Sequence, residues 1–342
     1  MKKRPLMQTE NRVFRTYRGG KLLDAFLGKP HPADSFQPED WISSFVEAKN
    51  KDYRAGEGIS RVCTEEGEMP ITAAVTEEDF GPGRRDGGVL VKLLDARERL
   101  GIQVHPTPAF SRTHFGSAYG KTECWHILQT EPGVDASIYI GFRAGITRDK
   151  WARLFREQDT GGMLDALHRF PVKAGDTILV RAGTPHAIGA GCFLLEIQEP
   201  SDYTMRAEKT TVAGERLTEQ QISYGLGEEA LLDCFHYEGL TECEARQRFF
   251  LQPRIRQQTD NGLVQSLVTY DDTPCFALEK IEGQGCLKTD SFSTVVALEG
   301  GMLSTENESI PFRRGDKIFV PYGCGAVTLQ SKSAVVCYPP RI

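Results

Sequence analysis

The sequence predicts a mainly β protein built from two related barrel modules with helical insertions. The main observation is a repeat: residues 175–186 and 315–326 both begin Gly-Asp-x-Ile-x-Val-x-x-Gly, 140 positions apart. Glycines on either side of a short alternating apolar run are typical of a turn, a strand and a second turn. The copies differ at their last position, which is His186 in the first and Ala326 in the second. A metal ligand is therefore expected in the first module alone.

The chain is long enough for two domains, and we expect the division after residue 235. Residues 1–235 would form the metal-binding module, with helical segments at about 147–170 and 207–235. Residues 236–342 consist of short alternating runs with turns between them, which predicts a second all-β module. That module has no histidine after His236, so we expect it to lack a metal site.

Composition excludes several classes of partner. The net charge of -6 argues against a nucleic-acid surface, and no apolar run approaches the roughly 18 residues of a membrane helix. The nine cysteines are scattered without a C-x-x-C pair, which favours free thiols in a reducing cytoplasm over a disulfide framework. We therefore expect a cytoplasmic protein that binds neither nucleic acid nor membranes.

Four polar residues in the first module form a candidate metal site. Gln103 and His105 alternate with apolar residues, so both point to one face of a strand. Glu123 lies on a second alternating run, and His186 ends the first repeat. Together they offer an amide oxygen, a carboxylate and two imidazoles, a set that suits one Zn²⁺ ion. Each residue alone also has a structural explanation, such as a solvated carboxylate or a hydrogen-bonded histidine.

Residues 175–186 resemble the second conserved motif of cupins, with Arg181 at the motif's proline and Ala190 at its asparagine. Further motifs make the resemblance more specific. Five segments in order resemble the type I mannose-6-phosphate isomerases (phosphomannose isomerases), especially the short bacterial form. These segments are residues 91–96, 102–106, 120–125, 183–187 and 196–206.

The resemblance implies two cupin (jelly-roll) domains with helical segments, and a zinc enzyme that interconverts mannose 6-phosphate and fructose 6-phosphate. It assigns the metal ligands to Gln103, His105, Glu123 and His186. It implies that the catalytic residues are Arg206, Lys121 and Asp202, and that the substrate-binding residues are Lys92 and Trp125. A small sugar phosphate would be the partner, and the protein would be a monomer or a weak homodimer.

The chemistry of an aldose–ketose isomerisation fits these residue types. A proton moves between C1 and C2, and negative charge on the neighbouring oxygens needs stabilisation. We expect Arg206 to stabilise that charge, Lys121 to handle a proton, and Lys92 to hold the phosphate as a point charge. Asp202 would orient Arg206 or a proton.

Two departures from the family pattern bear on the substrate. Gly101 stands where the family has a serine that contacts phosphate, and residues 18–20 read Arg-Gly-Gly where the family has Trp-Gly-Gly. Two alternatives stay open. One is another metal-dependent cupin enzyme, such as an iron-dependent oxygenase, and the other is a non-catalytic sugar-binding or regulatory cupin.

Overall fold

Antiparallel strands dominate the computed structural model, which describes residues 3–52 and 54–341. The strands are β1 (Leu6–Gln8), β2 (Arg12–Val13), β3 (Glu39–Ile42), β4 (Arg61–Thr64), β5 (Gly67–Pro70), β6 (Leu90–Ala96), β7 (Gln103–Val104), β8 (Glu123–Thr130), β9 (Ser137–Phe142), β10 (Leu167–Pro171), β11 (Thr177–Val180), β12 (His186–Ile188), β13 (Cys192–Gln198), β14 (Met205–Arg206), β15 (Phe250–Leu251), β16 (Arg254–Thr259), β17 (Gly262–Val268), β18 (Ala277–Cys286), β19 (Ser293–Ala297), β20 (Gly301–Ser304), β21 (Ser309–Phe312), β22 (Lys317–Val320) and β23 (Thr328–Tyr338).

Short helices interrupt the strands. They are α1 (Lys21–Phe26), α2 (Ile71–Ala74), α3 (Glu77–Phe80), α4 (Pro108–Phe115), α5 (Arg148–Glu157), α6 (Thr160–Asp165), α7 (Glu219–Ser223), α8 (Gly227–Asp233) and α9 (Glu242–Phe249). Within the described ranges no helix is long and apolar enough to cross a membrane.

The first module is a sandwich of two antiparallel sheets. One has the order β10-β9-β12-β7-β14, and the other has the order β15-β11-β8-β13-β6-β3-β2. Trp125 and Leu94 of the seven-stranded sheet pack with Ile138 and Ile140 of the five-stranded sheet in one buried cluster. The inner faces of the two sheets therefore enclose the core of this module, as in a jelly roll.

The seven-stranded sheet is buried on both faces. In β6, Leu94 points into the first module's core, whereas Val91 and Leu93 join a different cluster that includes Val335 and Cys337 of β23. This alternation follows from the two-residue period of a strand. The outer face of the sheet thus packs on the second module, and inward-pointing residues of β6 are those with even numbers.

The helical insertions cover the outer face of the five-stranded sheet. Trp151 and Phe155 of α5 and Leu232 of α8 share a cluster with Val104 and Phe142 of that sheet. The predicted helical segments correspond to α5 and α6 and to α7 and α8. The first one ends earlier than expected, because Leu167–Pro171 pairs with β9 as strand β10.

The second module is one sheet that curls around its own core, which includes Val295, Phe312 and Tyr338. The N-terminal strands β1, β4 and β5 extend it, with Met7 opposite Ile318. In return β15 pairs with β11 of the first module. The division after residue 235 stays a prediction, since strands are exchanged across it in both directions.

The sequence repeat is also a structural repeat. Each copy places its central residues in a strand, β11 in the first and β22 in the second. Gly175 and Gly315 precede these strands with φ values of 93° and 87°, and Gly183 and Gly323 follow them with 84° and 87°. Such positive φ values favour glycine, which explains why both copies keep glycine at these turns. The predicted mainly β fold with two such modules and helical insertions is confirmed.

Candidate active site

Strand alternation places charged side chains inside the first module. Lys92 of β6 and Glu196 of β13 both point toward the inside of the module, and they lie opposite each other on neighbouring strands. Each is only 3 % exposed. Their neighbours Val91 and Ile197 point to the other face of the sheet. The charged pair therefore lies between the two sheets, where only internal partners or a ligand can compensate it.

Two histidines and a glutamate converge at one end of this interior. The Nε2 atom of His105 lies 3.1 Å from Oε2 of Glu123, and Nε2 of His186 lies 3.4 Å from Oε1 of the same carboxylate. All three side chains are at most 1 % exposed. Across the described ranges, theirs is the one group of three or more such side chains close enough to share an ion.

Gln103 completes the predicted set of four. It faces His186 directly as its register partner between β7 and β12, and its side-chain Nε2 lies 3.2 Å from Nε2 of His186. A half-turn of the amide exchanges its nitrogen and oxygen, which would present the oxygen to an ion. The structure thus brings together Gln103, His105, Glu123 and His186 from three separate segments of the chain.

Backbone carbonyls hold both histidines in the tautomer that a metal requires. Nδ1 of His105 lies 2.9 Å from the Tyr203 carbonyl, and Nδ1 of His186 lies 2.8 Å from the Thr184 carbonyl. A carbonyl can only accept, so each Nδ1 carries the proton and each Nε2 keeps its lone pair. Burial, followed by the charge of Lys121, lowers the pKa of His105 to about 3, and burial lowers the pKa of His186.

The donor set fits a zinc ion. Both carboxylate oxygens of Glu123 are buried, and neither has a well-formed hydrogen bond among the described residues. Ligands about 2.0–2.1 Å from a tetrahedral ion lie roughly 3.3 Å apart, close to the separations of 3.1 and 3.4 Å observed here. Two neutral imidazoles, a carboxylate and an amide oxygen form a mixed N/O set that leaves the ion net positive.

Lys121 lies beside these ligands. Its Nζ is 3.0 Å from Nε2 of His105 and 3.0 Å from Oε2 of Glu123. Glu199 fixes the preceding and following backbone by accepting from the amides of Gly120 (3.1 Å) and Thr122 (2.8 Å). The ammonium group is thus held at the boundary between the ligands and the cavity described next.

A cavity of about 350 Å³ opens above the ligands. Most of the predicted site residues line it: Lys92, Gln103, Lys121, Asp202 and Arg206, together with Gly101. The volume lies at the lower end of the range for small-molecule sites. Residues that were predicted separately along 115 positions of sequence therefore share one ligand-sized space.

Four predicted site residues lie outside the cavity wall: His105, Glu123, His186 and Trp125. Of these four, only Trp125 was predicted to bind substrate. It is fully buried and is not part of the cavity wall. Its indole nitrogen donates to Oε2 of Glu196 over 3.2 Å, and its ring packs edge-on against His186. The substrate contact of Trp125 stays a prediction, and in this structure its ring packs against His186, one of the candidate metal ligands. Trp125 thus supports the position of His186.

Asp202 pairs with a different arginine from the predicted one. Its carboxylate lies 3.2 Å from Arg15 and accepts the backbone N–H of Lys49 over 2.7 Å. Burial opposes ionisation, but Arg15 and then Lys92 outweigh it, so the pKa of Asp202 lies below its usual value. Arg206 has no carboxylate within 4.0 Å in the described part of the chain, and burial lowers its pKa. Asp202 therefore fixes Arg15 and the loop of Lys49.

A buried charge network on the cavity wall includes residues without a predicted role. Glu39 accepts hydrogen bonds from Tyr17 and Trp41, each over 2.7 Å, and pairs with Arg15 at 2.9 Å and Lys92 at 3.7 Å. Burial alone would raise the pKa of Glu39, but Arg15 and Lys92 hold it at about 2.

Glu196 is the second residue without a predicted role. Oε1 of Glu196 lies 3.1 Å from Nζ of Lys92 without a well-formed hydrogen bond among the described residues. Burial raises the pKa of Glu196, although Lys92 opposes this shift. The sequence did contain a signal for this residue, since Glu196 lies between the apolar residues Leu195 and Ile197 of a predicted strand. A buried carboxylate with a raised pKa that lines a cavity is a candidate proton carrier.

The fold and the site define a protein of two jelly-roll modules with a candidate metal centre beside a charged cavity. No protein-family model matches the chain. Its sequence is 29 % identical to the mannose-6-phosphate isomerase ManA of Bacillus subtilis over 252 residues, which cover 71 % of each protein. It is 42 % identical over 119 residues to the mannose-6-phosphate isomerase of Streptococcus mutans, covering 34 % of this chain and 35 % of that one.

Solved structures agree with the fold. The mannose 6-phosphate isomerase of B. subtilis matches with a TM-score of 0.72 at 20 % identity, covering 98 % of this chain and 99 % of the other. A zinc-bound mannose 6-phosphate isomerase matches with a TM-score of 0.71 at 16 % identity, covering 98 % and 100 %. The chain is similar to mannose-6-phosphate isomerases in sequence and in fold, as its sequence motifs predicted.

Proposed function

We propose that this protein is a zinc-dependent aldose–ketose isomerase that interconverts mannose 6-phosphate and fructose 6-phosphate. The observation that carries the proposal is the convergence of Gln103, His105, Glu123 and His186 beside a cavity with unpaired positive charge. The names of the homologues support the substrate pair, and the zinc-bound neighbour supports the metal.

The four converging side chains would hold one zinc ion. When bound, zinc acts as a Lewis acid that polarises a substrate carbonyl and stabilises negative charge on the oxygens next to the reacting carbons. The neutral imidazoles need no deprotonation before binding, since their Nε2 lone pairs already face inward. The ligand cluster is therefore organised for a metal before one arrives.

The remaining residues divide into proton handling and charge stabilisation. Glu196 is the group we assign to carry the proton between C1 and C2, because Oε1 of its carboxylate lacks a hydrogen bond and it lines the cavity. Lys121 is placed to donate to a substrate oxygen next to the ligands. Arg206 stabilises anionic oxygens, and its planar guanidinium can hold two at once. Asp202 acts indirectly, by fixing Arg15 and the Lys49 backbone.

We also propose the number of bound ions, the oligomeric state and the cellular compartment. The protein binds a single ion, exists as a monomer or a weak homodimer, and works in the cytoplasm. All nine cysteines are free thiols, and five of them are buried, which supports a reducing compartment. A sugar phosphate is the small-molecule partner.

A coupled assay for fructose 6-phosphate tests the proposal. Purified protein given mannose 6-phosphate should turn over, lose activity on chelation, and regain it with stoichiometric Zn²⁺. Glu123→Gln should lose bound zinc and at least 100-fold of activity. Glu279→Gln is the matched control, because Glu279 is equally buried but pairs with Arg256 and Lys288 in the second module.

The alternatives make different predictions in the same assay. A non-catalytic cupin would bind zinc and the sugar phosphate without any isomerisation. An iron-dependent oxygenase would stay inactive with zinc and consume dioxygen with Fe²⁺. Either result would overturn the isomerase proposal, whereas zinc-dependent turnover that Glu279→Gln retains would support it.

A further inference from the structure

Seven cationic side chains line the substrate cavity, and most are already compensated. Four of them pair with a carboxylate: Arg15 with Glu39 (2.9 Å), Lys92 with Glu196 (3.1 Å), Arg99 with Glu208 (2.6 Å) and Lys121 with Glu123 (3.0 Å). The other three are Lys49, Lys51 and Arg206, which have no carboxylate within 4.0 Å in residues 3–52 and 54–341. Their positive charge is available to an anionic ligand.

The wall around Gly101 is poorly suited to a phosphate. Glu208 takes both guanidinium nitrogens of Arg99, at 2.6 and 2.9 Å, and also accepts the Ile102 amide over 2.7 Å. A Cβ at residue 101 would lie 3.9 Å from Oε1 of Glu208. This wall therefore offers a neutralised cation and a carboxylate, which would repel a dianion.

The backbone of Lys49 is anchored at the cavity, where its side chain can supply a cation for an anionic ligand. Its backbone N–H donates to the buried carboxylate of Asp202 over 2.7 Å, which holds the residue against the cavity. Its Nζ lies 4.7 Å from the ring centroid of Tyr203. That ring is stacked on Phe115 at 4.1 Å with an interplanar angle of 6°, so it is a firm platform. An ammonium group over an aromatic ring remains free to form an ion pair with a phosphate.

Tyr203 also links this lysine to the metal ligands, since its carbonyl accepts Nδ1–H of His105. We propose that Lys49 forms the phosphate-binding end of the cavity. This inference rests on the proposed isomerase function and specifies how its substrate is oriented. The phosphate pairs with Lys49, and the carbonyl end of the sugar reaches the side chains around Glu123, where Arg206 is the register partner of Gln103.

The test compares Lys49→Met with Lys209→Met. Lys209 is a matched control, because its Nζ also lies over an aromatic ring, 4.5 Å from the centroid of Phe155, and it is not part of the cavity wall. Lys49→Met should raise KM for mannose 6-phosphate and the inhibition constant of inorganic phosphate about 10-fold, with little change in kcat. Lys49→Arg should restore most of both values, and Lys209→Met should match the wild type.

Direct titration with inorganic phosphate separates this inference from the proposed function. An active wild type whose KM and phosphate affinity change less than twofold in Lys49→Met would overturn the phosphate contact alone. An inactive wild type whose phosphate affinity falls in Lys49→Met would overturn the isomerase function but keep the contact. Equal losses in Lys49→Met and Lys209→Met would also overturn the inference, since they would reflect general destabilisation.

Discussion

Lys92 and Glu196 lie directly opposite each other on neighbouring strands, with Nζ and Oε1 3.1 Å apart and both side chains buried. Because side chains alternate along a strand, Val91 and Ile197 point into the core between the modules, whereas Lys92 and Glu196 point into the cavity. Glu39 lies 3.7 Å from the same ammonium group. One lysine thus compensates two buried carboxylates.

Lys92→Met should destabilise the protein by about 3–5 kcal/mol, because it leaves the buried carboxylate of Glu196 without its cationic partner. Adding Glu196→Gln removes that charge, so the double variant should lose less than the sum of the single losses. Urea unfolding of the four proteins measures the coupling. Strictly additive losses would show that the two side chains do not interact.

Arg206→Ala should keep the fold and the bound zinc but lose at least 100-fold in turnover, which corresponds to about 2.7 kcal/mol of activation free energy. The reason is that Arg206 donates to backbone carbonyls of Thr204 and Gln221 and pairs with no carboxylate in the described ranges. Its removal therefore leaves no buried negative charge behind.

Steady-state kinetics and metal analysis check the Arg206 prediction. The surface variant Arg97→Ala is a suitable control, since Arg97 is half exposed and pairs with Glu131 outside the cavity. Unchanged turnover in Arg206→Ala would remove this residue from the mechanism.

Gly101→Ser should be tolerated and should lower KM for the sugar phosphate several-fold. The backbone is not in the left-handed region there, and the nearest atom to a new Cβ would be Oε1 of Glu208 at 3.9 Å. The added hydroxyl gives the cavity wall a donor for a substrate oxygen. Gly101→Ala fills the same space without a hydroxyl and should leave KM unchanged. Equal effects of the two substitutions would indicate a steric cause.

Glu39 should make stability depend on pH in the acid range. Its pKa is about 2 in the folded protein and 4.5 ordinarily, so its stabilisation is complete well above pH 4.5 and is lost as pH falls toward 2. Between pH 7 and 3.5 the stability advantage of the wild type over Glu39→Gln should shrink by about 1.4 kcal/mol. Chemical unfolding at several pH values measures this difference. A constant advantage would mean that Arg15 and Lys92 do not hold the carboxylate ionised.

Much of the fold and most of the candidate metal ligands could be predicted from short sequence patterns. Alternation placed Gln103 and His105 on one strand face, and the glycine-bounded repeat predicted β11 and β22. Both rest on short-range rules, since a strand's period and a turn's positive φ are set by adjacent residues. The ordered motifs then predicted the similarity to mannose-6-phosphate isomerases.

The alternation of residues along a strand does not show which side chains the inward-facing residues will contact. Trp125 and Glu123 share a face of β8, yet Glu123 reaches the ligand cluster and Trp125 is sealed behind His186. Likewise, nothing in the order of residues signals that Arg15 would displace Arg206 as the partner of Asp202. These contacts depend on how far along each strand a residue lies inside the module. The alternation of side chains between the two faces of a strand does not specify that position.

The strand periodicity, the two repeated modules and the four candidate ligands all follow from the order of amino acids. Tertiary structure alone decided the charge network of Glu39 and Glu196, the carbonyls that orient both histidines, and the exchange of β1 and β15 between modules. The physical reason is the sequence separation over which each effect acts, since strand periodicity and turn geometry depend on only a few adjacent residues. Charge compensation and burial instead depend on which distant segments the packed sheets bring within a few ångströms.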